Sequence, residues 1–192
     1  MSKEYNFVGF SGSLRKASYS TALMRFFSQQ LSDRGHLFRS IDIGAIPHYN
    51  EDVENLSLPE SVKDARAIVG DCDGIVIATP EFNHGIPGVL KNTFDWLSRP
   101  AFTSCFAYKP VIFCTFSPGA LGGVRAQYQL RETFSSMLCE VIPMQEIVIP
   151  HVHQKFHDNV LTDVKTIEFA SDSLDIFIRG VANRKLASDS LV

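Results

Sequence analysis

Residues 74–78 read Gly-Ile-Val-Ile-Ala, a continuous apolar run rich in β-branched side chains. A strand of this kind is typical of a parallel sheet whose two faces are both covered by helices. Residues 7–10 and 111–116 form further apolar runs, and residues 37–43 and 141–149 have the pattern of two more strands. The sequence therefore predicts five strands of a largely buried sheet.

Longer segments with a helical spacing of apolar residues separate these strands. Residues 44–58 are instead expected to form a long surface loop. The helices are expected to begin near Thr21, Pro59 and Pro87, to include residues 130–138, and to close the chain over residues 163–185. Strands that alternate with helices predict an α/β fold, namely the doubly wound, flavodoxin-like parallel sheet in the order 2-1-3-4-5 with helices on both faces.

The composition is that of one folded domain spanning residues 1–192. Hydrophobic residues make up 45% and charged residues 20% of the chain, which excludes a disordered or coiled-coil protein. The net charge of −3 is unlike the strongly basic balance of a nucleic-acid-binding domain. No apolar run approaches the roughly 18 residues that cross a bilayer, and no secretory segment is visible. We therefore expect a cytoplasmic protein that binds neither nucleic acid nor a membrane.

The cysteines and histidines do not indicate a disulfide framework or a metal centre. The pair His151-x-His153 has no third ligand nearby, so we expect ordinary loop residues there. The cysteines are far apart and contain no CxxC pair, which favours reduced thiols in a cytoplasmic protein. They are Cys72, Cys105, Cys114 and Cys139.

The loop after the first strand is rich in hydroxyl groups and runs directly into a predicted helix N-terminus. It reads Ser11-Gly-Ser-Leu-Arg-Lys-Ala-Ser-Tyr-Ser-Thr21. Free backbone N–H groups and the helix dipole favour an anion here, and a guanidinium can bind phosphate oxygens. Helix capping alone would need only one hydroxyl group. We therefore predict a phosphate site formed by Ser11, Ser13, Arg15, Ser18, Tyr19, Ser20 and Thr21.

Two phosphate-binding motifs that the chain lacks narrow the choice of ligand. The sequence contains neither GxxxxGK[ST], the loop of nucleoside-triphosphate enzymes, nor a GxGxxG dinucleotide pattern with its acidic partner. A terminal monophosphate is the better fit. FMN is the usual ligand of this kind on a flavodoxin-like sheet.

Three segments together carry a resemblance to a known family. The first comprises Gly12-Ser-Leu-Arg15 and Ser18, and the second reads Thr79-Pro-Glu-Phe-Asn-His-Gly-Ile-Pro-Gly-Val-Leu-Lys-Asn-Thr-Phe-Asp-Trp-Leu-Ser-Arg-Pro100. The third reads Ser117-Pro-Gly-Ala-Leu-Gly-Gly-Val-Arg-Ala-Gln-Tyr-Gln-Leu-Arg131. They resemble GSLRxxSxN, PEYNxSxPGxLKNAIDWxSRP and SxGxxGGxRAQxxLR of the NADPH-dependent FMN reductase family, which includes quinone, chromate and azo-dye reductases.

The resemblance implies where FMN binds. The positions expected to hold the phosphate are Ser13, Arg15, Ser18 and Ser20, the last of which replaces the family's usual Asn. The positions expected to lie along the isoalloxazine ring, with backbone N–H groups near its polar edge, are Pro80, Glu81, Phe82 and Asn83. Phe82 replaces a common Tyr and lacks its hydroxyl group. Ser117 and Gly119 are expected to flank the ring, and His84 to influence which acceptors fit.

The resemblance also implies the activity. NADPH or NADH would pass a hydride to FMN, and a quinone, chromate, an azo compound or free flavin would then take two electrons at the same face, with ping-pong kinetics. Because the cofactor carries this chemistry, no catalytic side chain and no metal is required. Family members form dimers and tetramers, and Arg125, Tyr128 and Glu146 match positions of polar contacts between subunits.

Two other classes of protein are compatible with a flavodoxin-like sheet. A non-enzymatic electron carrier is usually shorter and more acidic, and it has a Ser/Thr-x-Thr-Gly phosphate loop that is absent here. A ligand-free interaction or sensor domain would not need the intact hydroxyl and arginine loop. Oxidation of NAD(P)H in the presence of a quinone separates the enzyme from the carrier, and failure to bind FMN would favour the ligand-free domain.

Overall fold

The computed structural model describes residues 3–189 and shows a parallel sheet with helices on both faces. The strands of the main sheet are β1 (Asn6–Ser11), β2 (Leu37–Ile41), β3 (Gly74–Pro80), β4 (Pro110–Phe116), β5 (Glu140–Val141) and β6 (Ile147–Ile149), and a separate hairpin contains β7 (Phe156–His157) and β8 (Val160–Leu161). The order in the main sheet is β2-β1-β3-β4-β5, with β6 also paired to β4. The predicted flavodoxin-like order is confirmed.

Two apolar cores cover the two faces of this sheet. The helices are α1 (Tyr19–Asp33), α2 (Glu51–Leu56), α3 (Glu60–Asp71), α4 (Gly88–Leu97), α5 (Val124–Ser136) and α6 (Val164–Asp189). One core joins residues of α3, α4 and α5 to the sheet, and the other joins residues of α1 and α6. Successive side chains of β3 enter opposite cores, as the alternation along a strand requires: Ile75 and Ile77 face the first, Val76 and Ala78 the second.

The first core contains the aromatic residues of α4, which precede the sequence Ser98-Arg99-Pro100. Phe94 and Trp96 are buried, and the Phe94 ring packs edge-on against Phe134 of α5 with 4.9 Å between the ring centroids. The Trp96 indole N–H donates to the Pro47 carbonyl at 2.8 Å. These contacts fix α4, and with it the loop that leads into its N-terminus from β3.

Two predictions about local structure were wrong. Residues 44–58 are not a continuous loop, because they contain the short helix α2, which begins after the cap residue Asn50. Residues 141–149 are not one strand but the two short strands β5 and β6, which pair with the beginning and the end of β4. The segment between them contains Pro143, which has no N–H group to donate to a ladder.

The chain reverses its direction of winding at the carboxyl ends of β1 and β3. These strands are neighbours, yet α1 follows β1 onto one face and α4 follows β3 onto the other. Ligands of open α/β sheets bind in the crevice that such a switch creates. Among residues 3–189, no helix is both long and apolar enough to span a membrane.

Candidate functional site

A cavity of about 170 Å³ opens at the carboxyl ends of β1, β3 and β4. It therefore lies where the winding switches and where the three distinctive loops of the sequence meet. Its lining is mainly apolar, with hydroxyl groups, one guanidinium and one carboxylate at the edge. The lining residues are Ser13, Arg15, Ser18, Tyr19, Ser20, Pro80, Glu81, Phe82, Phe116, Pro118 and Val152.

The loop between β1 and α1 is held in place by its own hydroxyl groups. Ser18 caps α1: its Oγ accepts from the Thr21 backbone N–H at 3.1 Å and lies 2.9 Å from Thr21 Oγ1. Ser13 Oγ accepts from the Arg15 backbone N–H at 3.3 Å. The Arg15 guanidinium is exposed and donates to the Ala17 carbonyl at 3.0 Å. Ser18 and Thr21 thus shape the loop, while the Arg15 side chain stays free to turn towards a ligand.

Ser20 provides a test of whether this loop fits a phosphate group. The residue is fully buried, it lines the cavity, and its Oγ has no hydrogen-bond partner within the described chain. A buried hydroxyl group without a partner costs free energy, which a ligand oxygen would recover. The first turn of α1 contains no acidic residue to repel an anion. The donors present therefore fit the phosphate of FMN.

The loop after β3 begins with a tight hairpin at residues 82–85. Phe82 N donates to the Gly85 carbonyl at 2.8 Å, and Gly85 N donates back at 2.9 Å. Asn83 and His84 between them have positive φ angles of 50° and 67°, as in a type I′ turn. The Glu81 N–H donates to the Phe116 carbonyl at 3.2 Å. Since the amides of Glu81 and Phe82 are engaged, the N–H groups that can face a ligand here are those of Asn83 and His84.

The loop after β4 is closed by a segment near residue 151, which sequence reasoning did not connect with the site. Ser117 N donates to the Ile149 carbonyl at 3.2 Å, and Val152 N donates to the Ser117 carbonyl at 3.1 Å. His151 N donates to the Gly119 carbonyl at 3.2 Å. These bonds bring Val152 into the wall of the cavity beside Phe116.

The structure brings most of the expected site residues together at one cavity. Those expected from the sequence that line it are Ser13, Arg15, Ser18, Tyr19, Ser20, Pro80, Glu81 and Phe82. Those that lie in or directly beside the same loops without lining it are Ser11, Thr21, Asn83, His84, Ser117 and Gly119. Those that line it and were not expected are Phe116, Pro118 and Val152. Phe116 could have been predicted, because it is the last residue of an apolar strand and ligands of such sheets bind at the carboxyl ends of the strands.

The cysteine thiols are poorly suited to act as nucleophiles. All four are unpaired. Burial raises the pKa of Cys105 to about 11 and those of Cys72 and Cys139 to about 12, and burial also raises the pKa of Cys114. Thiolates are therefore scarce at neutral pH. Within residues 3–189 no group of three or more His, Cys, Asp or Glu side chains could hold a metal ion.

Comparison with known proteins gives consistent matches. The family model for NADPH-dependent FMN reductases matches residues 5–154. A quinone reductase of Pseudomonas putida is 33% identical to this chain, and the match covers 92% of this chain and 95% of the relative. An NAD(P)H-dependent FMN reductase of Pseudomonas aeruginosa is 37% identical to this chain, and the match covers 81% of this chain and 83% of the relative.

The solved structures include a similar fold over nearly the whole chain. It is that of FerB, a flavoenzyme NAD(P)H:(acceptor) oxidoreductase from Paracoccus denitrificans. The two structures superpose with a TM-score of 0.81 at 29% sequence identity, and the match covers 93% of this chain and 98% of FerB.

Proposed function

The chain belongs to the NADPH-dependent FMN reductase family and is an FMN-dependent NAD(P)H oxidoreductase, and we propose that it reduces quinones by a ping-pong mechanism at the cavity described above. The assignment of the site depends on one observation: the hydroxyl-rich loop between β1 and α1 and the residue 80–85 loop meet at the same cavity. Quinone reductases among its relatives favour a quinone acceptor over chromate, azo compounds or free flavin.

In this mechanism the loop before α1 and the first turn of that helix would hold the phosphate. Ser20 Oγ and the Arg15 guanidinium would donate to phosphate oxygens, and the positive end of α1 would stabilise their charge. The apolar wall that includes Phe116 and Val152 would pack against the ring. Bound FMN supplies the redox chemistry, as it can accept a hydride from NAD(P)H and deliver two electrons to an acceptor.

The exposed side of the cavity supports the proposal that two substrates use the site alternately. Phe82 is 59% exposed at its rim, so a planar nicotinamide or quinone can stack there without a lid closing over it. A single open face admits one partner at a time. Release of the oxidised nicotinamide before the acceptor binds is the order that this geometry favours, and parallel lines in double-reciprocal plots are its kinetic sign.

An absorbance experiment tests the proposed function. Purified protein is soaked with FMN, desalted, scanned, reduced anaerobically with NADPH and then mixed with a quinone. We expect a retained flavin spectrum that bleaches with NADPH and returns with the quinone. Flavin that NADPH cannot bleach would identify an electron carrier instead, and absence of binding in an equilibrium titration with FMN would refute the flavin site.

We also propose that the chain forms a dimer or tetramer through the surface around Arg125, Tyr128 and Glu146. Tyr128 is 60% exposed on α5, so its ring is available to a second copy of the chain. Glu146 Oε1 lies 3.0 Å from Arg131 Nε, and Arg125 Nη1 lies 3.7 Å from Glu81 Oε1. Arg125 and Arg131 lie three residues before and three residues after Tyr128 on α5, so a second copy that covers Tyr128 could share these polar groups.

Replacement of Tyr128 is the cleanest test of this surface, because Arg125 also contacts the cavity residue Glu81. Tyr128→Ala is expected to lower the molar mass measured by light scattering at micromolar concentration, since a buried aromatic anchor carries much of an interface's stability. Leu37→Ala, an exposed apolar residue on the opposite sheet edge, serves as control. A Tyr128→Ala variant with the wild-type mass would contradict the proposal.

We propose two further properties of the chain. The two cores share one sheet, which supports a single FMN-binding domain over the whole chain. Four unpaired cysteines support a reducing, cytoplasmic location.

A further inference from the structure

The hairpin at residues 82–85 is not held in place by its own packing. Phe82, Asn83 and His84 are all exposed, and two backbone bonds close the turn without connecting it to the body of the protein. A turn of this kind can keep its shape and still move as a unit. The accuracy with which it presents the Asn83 and His84 amides therefore depends on the residues at its two ends.

The first end is tied to helix α5 by a carboxylate. Glu81 Oε2 accepts from the backbone N–H groups of Arg125 at 2.9 Å and Ala126 at 3.3 Å, and the Glu81 side chain is only 11% exposed. The cap residue of α5, Gly123, has no side chain to perform this role. Glu81 therefore supplies, from the loop after β3, the negative charge that a helix N-terminus favours.

The second end is tied to the same helix one turn later by an amide. Gln129 Oε1 accepts from the Ile86 backbone N–H at 2.6 Å, and Ile86 is buried. A Cβ atom at Gly85 would lie 2.4 Å from Gln129 Oε1, so the absence of a side chain at Gly85 lets this amide approach. Gln129 is thus the acceptor that fixes the hairpin's exit.

We propose that Gln129, together with Glu81, is a positioning residue that fixes the residue 82–85 hairpin on α5 and so sets the affinity of the site for the flavin ring. The inference rests on the proposed function in one respect, that the ring lies along this hairpin. Gln129 does not line the cavity, so it acts through Ile86 and not by contact with the ligand. Its effect should therefore be independent of the phosphate group.

The test compares FMN with riboflavin, which has the same ring and no phosphate. Gln129→Ala is expected to weaken binding of both flavins about ten-fold, because the buried Ile86 N–H loses its acceptor. Gly85→Ala is expected to have a similar effect, because its methyl group displaces the Gln129 amide. In the double variant the two changes should not add, since the second has nothing left to displace. Hydrogen exchange should accelerate at residues 82–86 in each variant.

Glu132→Gln is the matched control, because Glu132 is exposed on the same helix. Unchanged riboflavin affinity in Gln129→Ala would overturn the proposal, as would fully additive effects in the double variant. Should Gln129→Ala fail to fold, Gly85→Ala alone carries the test, with wild-type affinity for both flavins as the contrary result. Failure of the wild-type protein to bind FMN would instead refute the proposed function.

Discussion

Arg15→Ala is expected to weaken FMN binding by about ten- to a hundred-fold while leaving riboflavin binding unchanged. A charge-assisted hydrogen bond contributes roughly 1.5–3 kcal/mol, and every 1.4 kcal/mol is about a factor of ten in affinity. Arg15 lines the cavity, and within residues 3–189 its side-chain bond to the Ala17 carbonyl leaves most of its donors free. Fluorescence titration with each flavin measures the effect.

Steady-state activity gives an independent measurement of the same variant. With FMN well above its new dissociation constant, Arg15→Ala should recover the wild-type rate, because the arginine binds the cofactor and takes no part in hydride transfer. Arg25→Ala removes the same charge from α1 outside this cavity and should retain wild-type affinity. Equal FMN affinity in Arg15→Ala and the wild-type protein would disprove the phosphate site.

The flavin-ring and phosphate effects are separable by this pair of ligands. Arg15 variants should change the ratio of FMN to riboflavin affinity, whereas Gln129 variants should change both affinities by the same factor. The two results together would divide the site into a part that recognises the phosphate and a part that orients the ring.

The central strands could be predicted because their signal is local, and their order followed from their alternation with helices. Apolar strands such as Gly74–Pro80 are buried along their whole length, and the loops at their carboxyl ends are short and distinctive in composition. The proposed phosphate loop between β1 and α1 could be predicted for the same reason, since its hydrogen-bond donors all lie within one stretch of the sequence. Short-range patterns of this kind need no knowledge of the fold.

Features set by long-range contacts could not be predicted in this way. Helix α2 has six residues and none of them is buried, so it has no periodic apolar face to detect. The Gln127 amide on α5 donates to the carbonyls of Phe113 on β4 at 3.2 Å and Ile147 on β6 at 3.0 Å, a side-chain bridge that only the folded structure shows. Val152 reaches the cavity through backbone bonds to residues more than 30 positions away.

The chain segments that follow β1 and β3 approach each other closely through their backbones. Gly12 N donates to the Ala78 carbonyl at 2.8 Å, at the point where the loops after β1 and β3 leave the sheet. A Cβ atom at Gly12 would lie 2.1 Å from Thr79 Oγ1, 2.5 Å from Thr79 Cβ and 2.8 Å from Thr79 Cα. Rotation of the Thr79 side chain can relieve the first contact but not the last, because the Cα atom belongs to the backbone of the buried strand β3.

Gly12→Ala is therefore expected to separate the two loops that form the cavity, with effects on both stability and binding. Overpacking of this kind costs roughly 1–3 kcal/mol, which for a chain of this size lowers the melting temperature by about 2–12 °C. FMN affinity should fall about a hundred-fold, and riboflavin affinity should fall with it, because both the phosphate loop and the residue 80–85 loop are displaced. Scanning calorimetry and flavin titration measure the two effects.

Gly70→Ala is the matched control for this substitution. Gly70 lies on an exposed part of α3, and a Cβ atom there meets nothing within 4 Å. Alanine in a helix loses less conformational entropy on folding than glycine, so this variant should melt at or slightly above the wild-type temperature. If Gly12→Ala matched Gly70→Ala in melting temperature and flavin affinity, the two loops could separate without loss of stability or binding. The close backbone contact at Thr79 would then not determine the structure of the site.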